Sequence, residues 1–189
     1  MISQPAQRIR WDIHDLEGLP QNEWTTYEII DGELFVTRSP HRRHQQVGGK
    51  IYAALDAWSV DSDLGEAIFA PSIVLSDADN VIPDAVWVTK ERLALIEDEA
   101  GHFTKLPELM IEVLSPGAEN IRRDRQVKLK LYSAQGAQEY WIADRFEKRI
   151  EVYRREDGRL VLVMTLTAED TISSPLLPGF SCLVSHFFR

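Results

Sequence analysis

Pro107-Glu108-Leu109-Met110-Ile111-Glu112-Val113-Leu114-Ser115-Pro116 is the stretch that decides the fold. Glu108 to Leu114 reads as a strand, stopped by Ser115-Pro116. Side chains alternate along a strand, so Leu109, Ile111 and Val113 share one face and Met110, Glu112 and Leu114 the other. Both faces are apolar apart from Glu112, which predicts a central strand covered on both sides. A carboxylate in that position loses its water and must find a cation or a metal. Glu112 is therefore the first residue to explain.

The rest of the composition bounds the answer. A chain of 189 residues predicts one domain over 1–189, with 1–10 a loose N-terminal end. Hydrophobic and charged fractions of 44% and 27% are those of a soluble globular protein. The net charge of -9 discourages loose binding to nucleic acid. An enzyme acting on nucleic acid would need a local basic patch or a metal to hold phosphate. The single cysteine, Cys182, makes no internal disulfide and fits a reducing cytoplasm. Met1-Ile2-Ser3-Gln4-Pro5 opens no signal peptide, and no apolar run is long enough to span a membrane.

Outward from the central strand, the pattern predicts an α/β protein. Asp12 to Gly18 reads as a short helix. Tyr27-Glu28-Ile29-Ile30 and Leu34-Phe35-Val36 flank Asp31-Gly32, a hairpin signal. A helix over Arg42 to Ser59 gathers Val47, Ile51, Ala54, Leu55 and Trp58 on one arc, with His44 inside it. Glu66 to Phe69 and Ile73 to Leu75 read as a strand pair, or one strand bent at Pro71. Val81 to Val88 reads as one strand carrying Pro83-Asp84, and Lys90 to Ile96 as a short helix. A second long helix covers Asn120 to Ala134. Strands follow at Glu139 to Ala143, Lys148 to Arg154 and Leu160 to Leu166.

Chemistry concentrates at three anomalies. On the second long helix Lys128 lies near the middle of the apolar arc, with Asp124 within it, whereas Arg122, Arg123, Gln126, Lys130 and Ser133 form the solvent arc. Lysine at the centre of a buried face is uncommon. Asp124, Lys128 and Tyr132 stack at a spacing of four. Either Lys128 makes a structural pair with Asp124, its head escaping to solvent, or it is desolvated and aimed at the neighbouring sheet. Asp84 alternates with Ile82 and Val86, so it faces apolar neighbours or caps a loop. Two carboxylates with a lysine favour a hard divalent cation with a positive group nearby. Arg42, Arg43 and Lys50, with Arg122, Arg123, Arg125, Lys128 and Lys130, are either solvated helix faces or a nucleic-acid-binding phosphate track on an acidic protein.

Pro83-Asp84, Glu112-Val113-Leu114 and Lys128 together resemble the signature of the restriction-endonuclease-like PD-(D/E)XK nuclease superfamily. Tyr27 to Leu34, His44, the stretch from Pro107 to Pro116, Asp124…Lys128…Tyr132 and Glu139-Tyr140-Trp141 are similar to the Uma-type family of small bacterial restriction endonucleases. One position departs from the superfamily pattern: Leu114 stands where lysine is usual, and the resemblance implies that the lysine has migrated to Lys128.

The resemblance implies a restriction-endonuclease-like central mixed sheet flanked by helices, with an N-terminal β-hairpin. It implies a cytoplasmic Mg²⁺- or Mn²⁺-dependent endonuclease that cuts double-stranded DNA as a homodimer. Asp84 and Glu112 would hold the metal, with the Val113 carbonyl as an extra ligand, and Lys128 would complete the catalytic set. Asp124 and Tyr132 would position Lys128, and His44 and Glu33 are further candidates. Tyr140-Trp141 and Phe187-Phe188 could supply a dimer interface. Two other readings stay open: the same fold kept as a non-enzymatic binding or assembly module, and a carboxylate-pair hydrolase acting on sugars.

Overall fold

A computed structural model describes residues 9–20, 22, 24–38 and 41–189 of the chain. Of the loose end expected over 1–10, residues 1–8 lie outside the described residues. Where a short helix was expected, the chain makes only a 3-10 turn, Asp15–Gly18. Strands β1 (Thr25–Ile30) and β2 (Glu33–Arg38) form the expected hairpin. Its loop residues Asp31 and Gly32 have φ of 50° and 72°. Two positive-φ residues in a two-residue loop match the twist of the flanking strands.

Helix α1 (Arg42–Ser62) buries His44, Val47, Gly48, Ile51 and Leu55, one stripe of an amphipathic helix. Strands β3 (Gly65–Phe69) and β4 (Ile73–Ser76) follow, then β5 (Asp79–Val81) and β6 (Ala85–Thr89). Two expectations are corrected here. The segments around Glu66 and Ile73 neither pair with each other nor form one bent strand: β3 pairs with β6, and β4 with β5. The expected single strand over Val81 to Val88 is two strands in two different sheets. Pro83 has no N–H to offer a ladder, and Ile82-Pro83-Asp84 becomes the crossing between the sheets.

Helix α2 (Lys90–Ile96) is capped by Thr89, whose hydroxyl accepts from the Arg92 amide. Strand β7 (Leu109–Val113) is buried at every residue. Helix α3 is continuous over 118–134 and has three parts: Ala118–Arg122, a π-helical segment Arg123–Lys128, and Leu129–Ala134. Strands β8 (Glu139–Asp144), β9 (Arg149–Glu156), β10 (Arg159–Leu166), β11 (Thr171–Ser174) and β12 (Leu177–Leu183) complete the chain.

The large sheet has the order β10-β9-β8-β7-β6-β3, with β7 and β8 parallel and the other pairs antiparallel. A smaller antiparallel sheet has the order β2-β1-β5-β4. On one face of β7, Leu109, Ile111 and Val113 pack with Val47, Ile51 and Leu55 of α1. On the other, Met110 and Leu114 pack with Leu131 and Tyr132 of α3. No helix among the described residues is long and apolar enough to cross a membrane.

The β11–β12 hairpin lies beyond Leu166, where the sequence reading assigns no element; Pro175, Pro178 and Gly179 weaken the strand pattern there. Its Ile172, Leu177 and Phe180 join Phe187 to close the α1 side of the core. Tyr140, Trp141 and Phe187 are all at 0% exposure, which corrects their assignment to a dimer interface: they are used up inside the protomer, and of the four residues expected there only Phe188 is left half-buried. Phe187→Ala should cost about 3–5 kcal/mol in a denaturant melt, the range for removing a buried aromatic ring. Light scattering of the variant should show the same oligomeric state as the parent.

Candidate active site

The strand break at Pro83 builds one wall of the site. Ala85 pairs with Ile111 across β6 and β7. Just beyond, the ladder is continued by a side chain: Asp84 Oδ2 accepts from the Val113 amide at 2.7 Å. Asp84 is thereby fixed beside the end of β7. His44, buried on α1, approaches from the far side, its Nε2 3.4 Å from the same oxygen. His41 does not join it; its ring accepts from the Arg43 amide and caps α1.

Glu112 faces α3 and is 3% exposed. Its Oε1 accepts from Lys128 Nζ at 2.7 Å and from the Tyr132 hydroxyl at 2.8 Å. Lys128 is 1% exposed, and its ammonium also lies 2.8 Å from Glu28 Oε1. Its head does not escape to solvent and does not pair with Asp124. Asp124 Oδ1 instead accepts from Arg123 Nε at 2.9 Å, and its buried Oδ2 has no partner among the described residues. Tyr132 positions Glu112 directly, not the lysine.

The π-helical winding of Arg123–Lys128 changes what the helix presents. A π turn makes i→i+5 bonds and is wider than an α turn, so the angular step per residue shrinks. Arg123, expected on the solvent arc, is turned inward and buried. Its guanidinium donates to Thr37 Oγ1 at 2.6 Å and lies 3.6 Å from Glu28 Oε2. Arg125 is likewise spoken for, by Glu151 at 2.6 Å and Asp144 at 3.2 Å. Of the expected phosphate track, Arg42, Arg43, Arg122 and Lys130 remain at the surface. Glu33 does not reach the site; it is exposed, 3.5 Å from Arg122.

Glu28, Asp84, Glu112, His44, Arg123 and Lys128 line one cavity of about 220 Å³. Glu28 is the residue that the sequence reading passed over. Its signal was present, because Glu28 sits between Tyr27 and Ile29 in a strand whose next residues, Ile29 and Ile30, are buried with it.

Charge in the cavity is unbalanced. Three carboxylates, Glu28, Asp84 and Glu112, line it with Asp124 close behind, and among the described residues lining it Lys128 and Arg123 are the permanent cations. Burial pushes the Glu112 carboxyl up to about 8 against the pull of Lys128, and the charges of Asp124, Asp84 and Glu28 add to the rise. Burial raises Asp84 too, with His44 and the Val113 amide partly offsetting it. Burial acts in the same direction on Glu28, but Lys128, Arg123 and the Ile82 amide outweigh it and hold Glu28 below its ordinary value. Burial alone would lower Lys128; Glu112 and Glu28 reverse this and keep it protonated. Glu112 thus holds its proton to higher pH than an ordinary carboxyl, although Lys128 faces it.

A mixed central sheet with a Pro-Asp entering it, a glutamate on the adjacent strand and a lysine facing that glutamate define a restriction-endonuclease-like fold of the PD-(D/E)XK type. The chain matches the Uma2 family, described as "Putative restriction endonuclease", over residues 12–185, and it belongs to that family. Among solved structures it is similar to "a putative nuclease belonging to DUF820" from Anabaena variabilis, with a TM-score of 0.73 and 17% identity over 94% of this chain and 97% of that one. At that identity the likeness concerns the fold alone. The type IIG restriction endonuclease BpuSI gives a TM-score of 0.40 and 16% identity over 75% of this chain and 15% of that one, too low for any structural argument. No curated protein matches the chain.

The raised Glu112 carboxyl has a consequence for stability. The folded protein keeps a proton on Glu112 that the unfolded chain releases above its ordinary value of 4.5. Between there and about 8 each rise in pH favours the unfolded chain, and above about 8 the loss is complete. Glu112→Gln removes this contribution. In melts without divalent metal, the variant should gain on the wild type as pH rises from 5 to 8, and then hold a constant difference.

Proposed function

We propose that the protein is a nuclease that hydrolyses phosphodiester bonds in double-stranded DNA as a homodimer, using Mg²⁺ or Mn²⁺. The observation that carries this reading is that Asp84, Glu112 and Lys128, from a strand crossing, a strand and a helix, line one cavity. Stability does not account for such a cluster, because buried ion pairs are commonly no more stabilising than apolar residues of the same volume.

The donor set fits a hard cation. Among the described residues no cluster of three or more His, Cys, Asp or Glu side chains could hold a metal, but Mg²⁺ needs only one or two carboxylates because it keeps several waters. Asp84 and Glu112 each use one oxygen in the contacts above, and the other accepts no hydrogen bond among the described residues. Asp84 and Glu112 would hold the ion, with the Val113 carbonyl beside them. Bound there, the cation would lower the pKa of a water and offset charge developing on phosphorus.

The chain's own residues supply the rest. Val113 and His44 fix the Asp84 carboxylate, and Tyr132 fixes that of Glu112. Lys128 keeps a positive charge in the cavity, where it would orient the attacking water or stabilise the phosphorane oxygens. Water oxygen attacks phosphorus and gives up a proton to solvent, the bond to the leaving deoxyribose oxygen breaks, and that oxygen takes a proton from solvent to leave as the 3′ or 5′ hydroxyl. Arg42, Arg43 and Arg122 lie outside as phosphate contacts on an otherwise acidic protein.

A binding or assembly module is the second reading. It is favoured by Lys128 already being satisfied by two carboxylates. Plasmid DNA and RNA incubated with Mg²⁺, Mn²⁺ or chelator separate the two. The wild type should cut only with metal, and Asp84→Asn and Glu112→Gln should abolish cutting. Lys128→Met should lower the rate by about a hundredfold while metal still raises the melting temperature. A wild type inactive in every mixture, with a melt that metal does not shift, would leave the binding module standing.

A further inference from the structure

Glu28 belongs to none of the roles above, yet it is the residue through which the two sheets meet at the cavity. It lies on β1 in the small sheet and is 3% exposed. Its Oε1 accepts from the Ile82 amide at 2.8 Å and lies 2.8 Å from Lys128 Nζ. Its Oε2 lies 3.6 Å from Arg123 Nη1. Ile82 opens the crossing that delivers Asp84, and Lys128 is the cation that faces Glu112. One carboxylate therefore touches the segment carrying one acidic residue of the site and the cation paired with the other.

We propose that Glu28 is a positioning residue: it holds the Lys128 ammonium at a point equidistant from itself and Glu112, and anchors the Ile82-Pro83-Asp84 crossing against the same point. Geometry distinguishes this from simple fold support. A carboxylate needed only to satisfy the Ile82 amide could do so with either oxygen and no cation; this one shares a single oxygen between amide and ammonium. Lys128 in turn is not left to collapse wholly onto Glu112, whose second oxygen stays free of hydrogen bonds among the described residues. Glu28 is not a metal-holding group on this account, since its two oxygens face the Ile82 amide, Lys128 and Arg123.

The activity arm of the test rests on the nuclease reading, and the spectroscopic arm does not. Glu28→Gln keeps the shape and the acceptor for Ile82 but removes the charge that holds Lys128. In cleavage assays its kcat should fall by about tenfold or more, the scale of a misplaced reacting group, at a KM within about twofold of wild type. The same substitution made in Lys128→Met should change kcat no further. Metal should still raise the melting temperature of Glu28→Gln. In proton–nitrogen correlation spectra the Lys128 ammonium signal, assigned by its loss in Lys128→Met, should shift or broaden in Glu28→Gln whether or not the wild type cuts nucleic acid. An unmoved ammonium signal overturns the proposal. So does an equal loss of kcat in both backgrounds, which would make Glu28 independent of the lysine, or a lost metal response, which would make it a ligand. A wild type without activity but with a moved signal removes the nuclease reading and leaves the positioning role intact.

Discussion

An ammonium group with almost no access to water, shared at hydrogen-bond distance by two carboxylates from different sheets, is the constraint on which the site depends. Burying one unpaired charge is prohibitive, and burying a pair returns the cost only when geometry is good and every remaining proton is used. Here the geometry is supplied by three elements at once. Strand β1 brings Glu28, β7 brings Glu112, and the π-helical part of α3 brings Lys128 with Arg123. Loss of any one carboxylate would leave the lysine partly unpaired in the interior.

Burial and the neighbouring carboxylates nevertheless raise Glu112 and Asp84, so the cluster as a whole is short of positive charge. A cluster assembled for stability alone would be expected to close with balanced charge. That shortage, next to an aspartate held by a backbone amide at the end of the same strand, is what supports the proposal of a cation held there. Family membership supports reading the protein as a nuclease, and on that proposal the chain's own groups would surround the cation.

Much of this was legible in the sequence. Alternation in Leu109 to Leu114 and the lone Glu112 within it gave the central strand and its odd residue, and helical periodicity put Lys128 on the buried face. What failed has identifiable causes. An ideal helical wheel put Arg123 in solvent because it assumes a constant step, which the π turn breaks. Continuous apolar spacing across Val81 to Val88 hid a change of sheet, since a strand break at proline alters partners without altering hydrophobicity. Glu28 went unread because strand alternation says which face a residue is on and not which distant cation it meets. Glu33, two residues after the hairpin's left-handed pair begins, is exposed at the start of β2 and meets Arg122. The β11–β12 hairpin was hidden by its prolines and serines, although its apolar residues complete one side of the core.

The hairpin that carries Glu28 pairs with the neighbouring β5 at one register position, Ile29 with Asn80, and the Asp31 and Gly32 amides add bonds to Asp79 and Ala78. The strand that carries Glu112 is paired along its length on one side and in three positions on the other. Native proteins open locally along such differences, the weakly laddered units first and the core strands last. The ladders therefore predict that the two halves of the site open at different free energies. Opening of the hairpin would take Glu28 away from Lys128 while the large sheet, and with it most of the spectroscopic signature of folding, stayed intact. Amide exchange at Ile29 and Leu34 running ahead of that at Ile111 would reveal that opening, and equal protection would show the hairpin and sheet to open as one unit. With the hairpin open in that way, the protein would be folded by every bulk measure and still lack an assembled site.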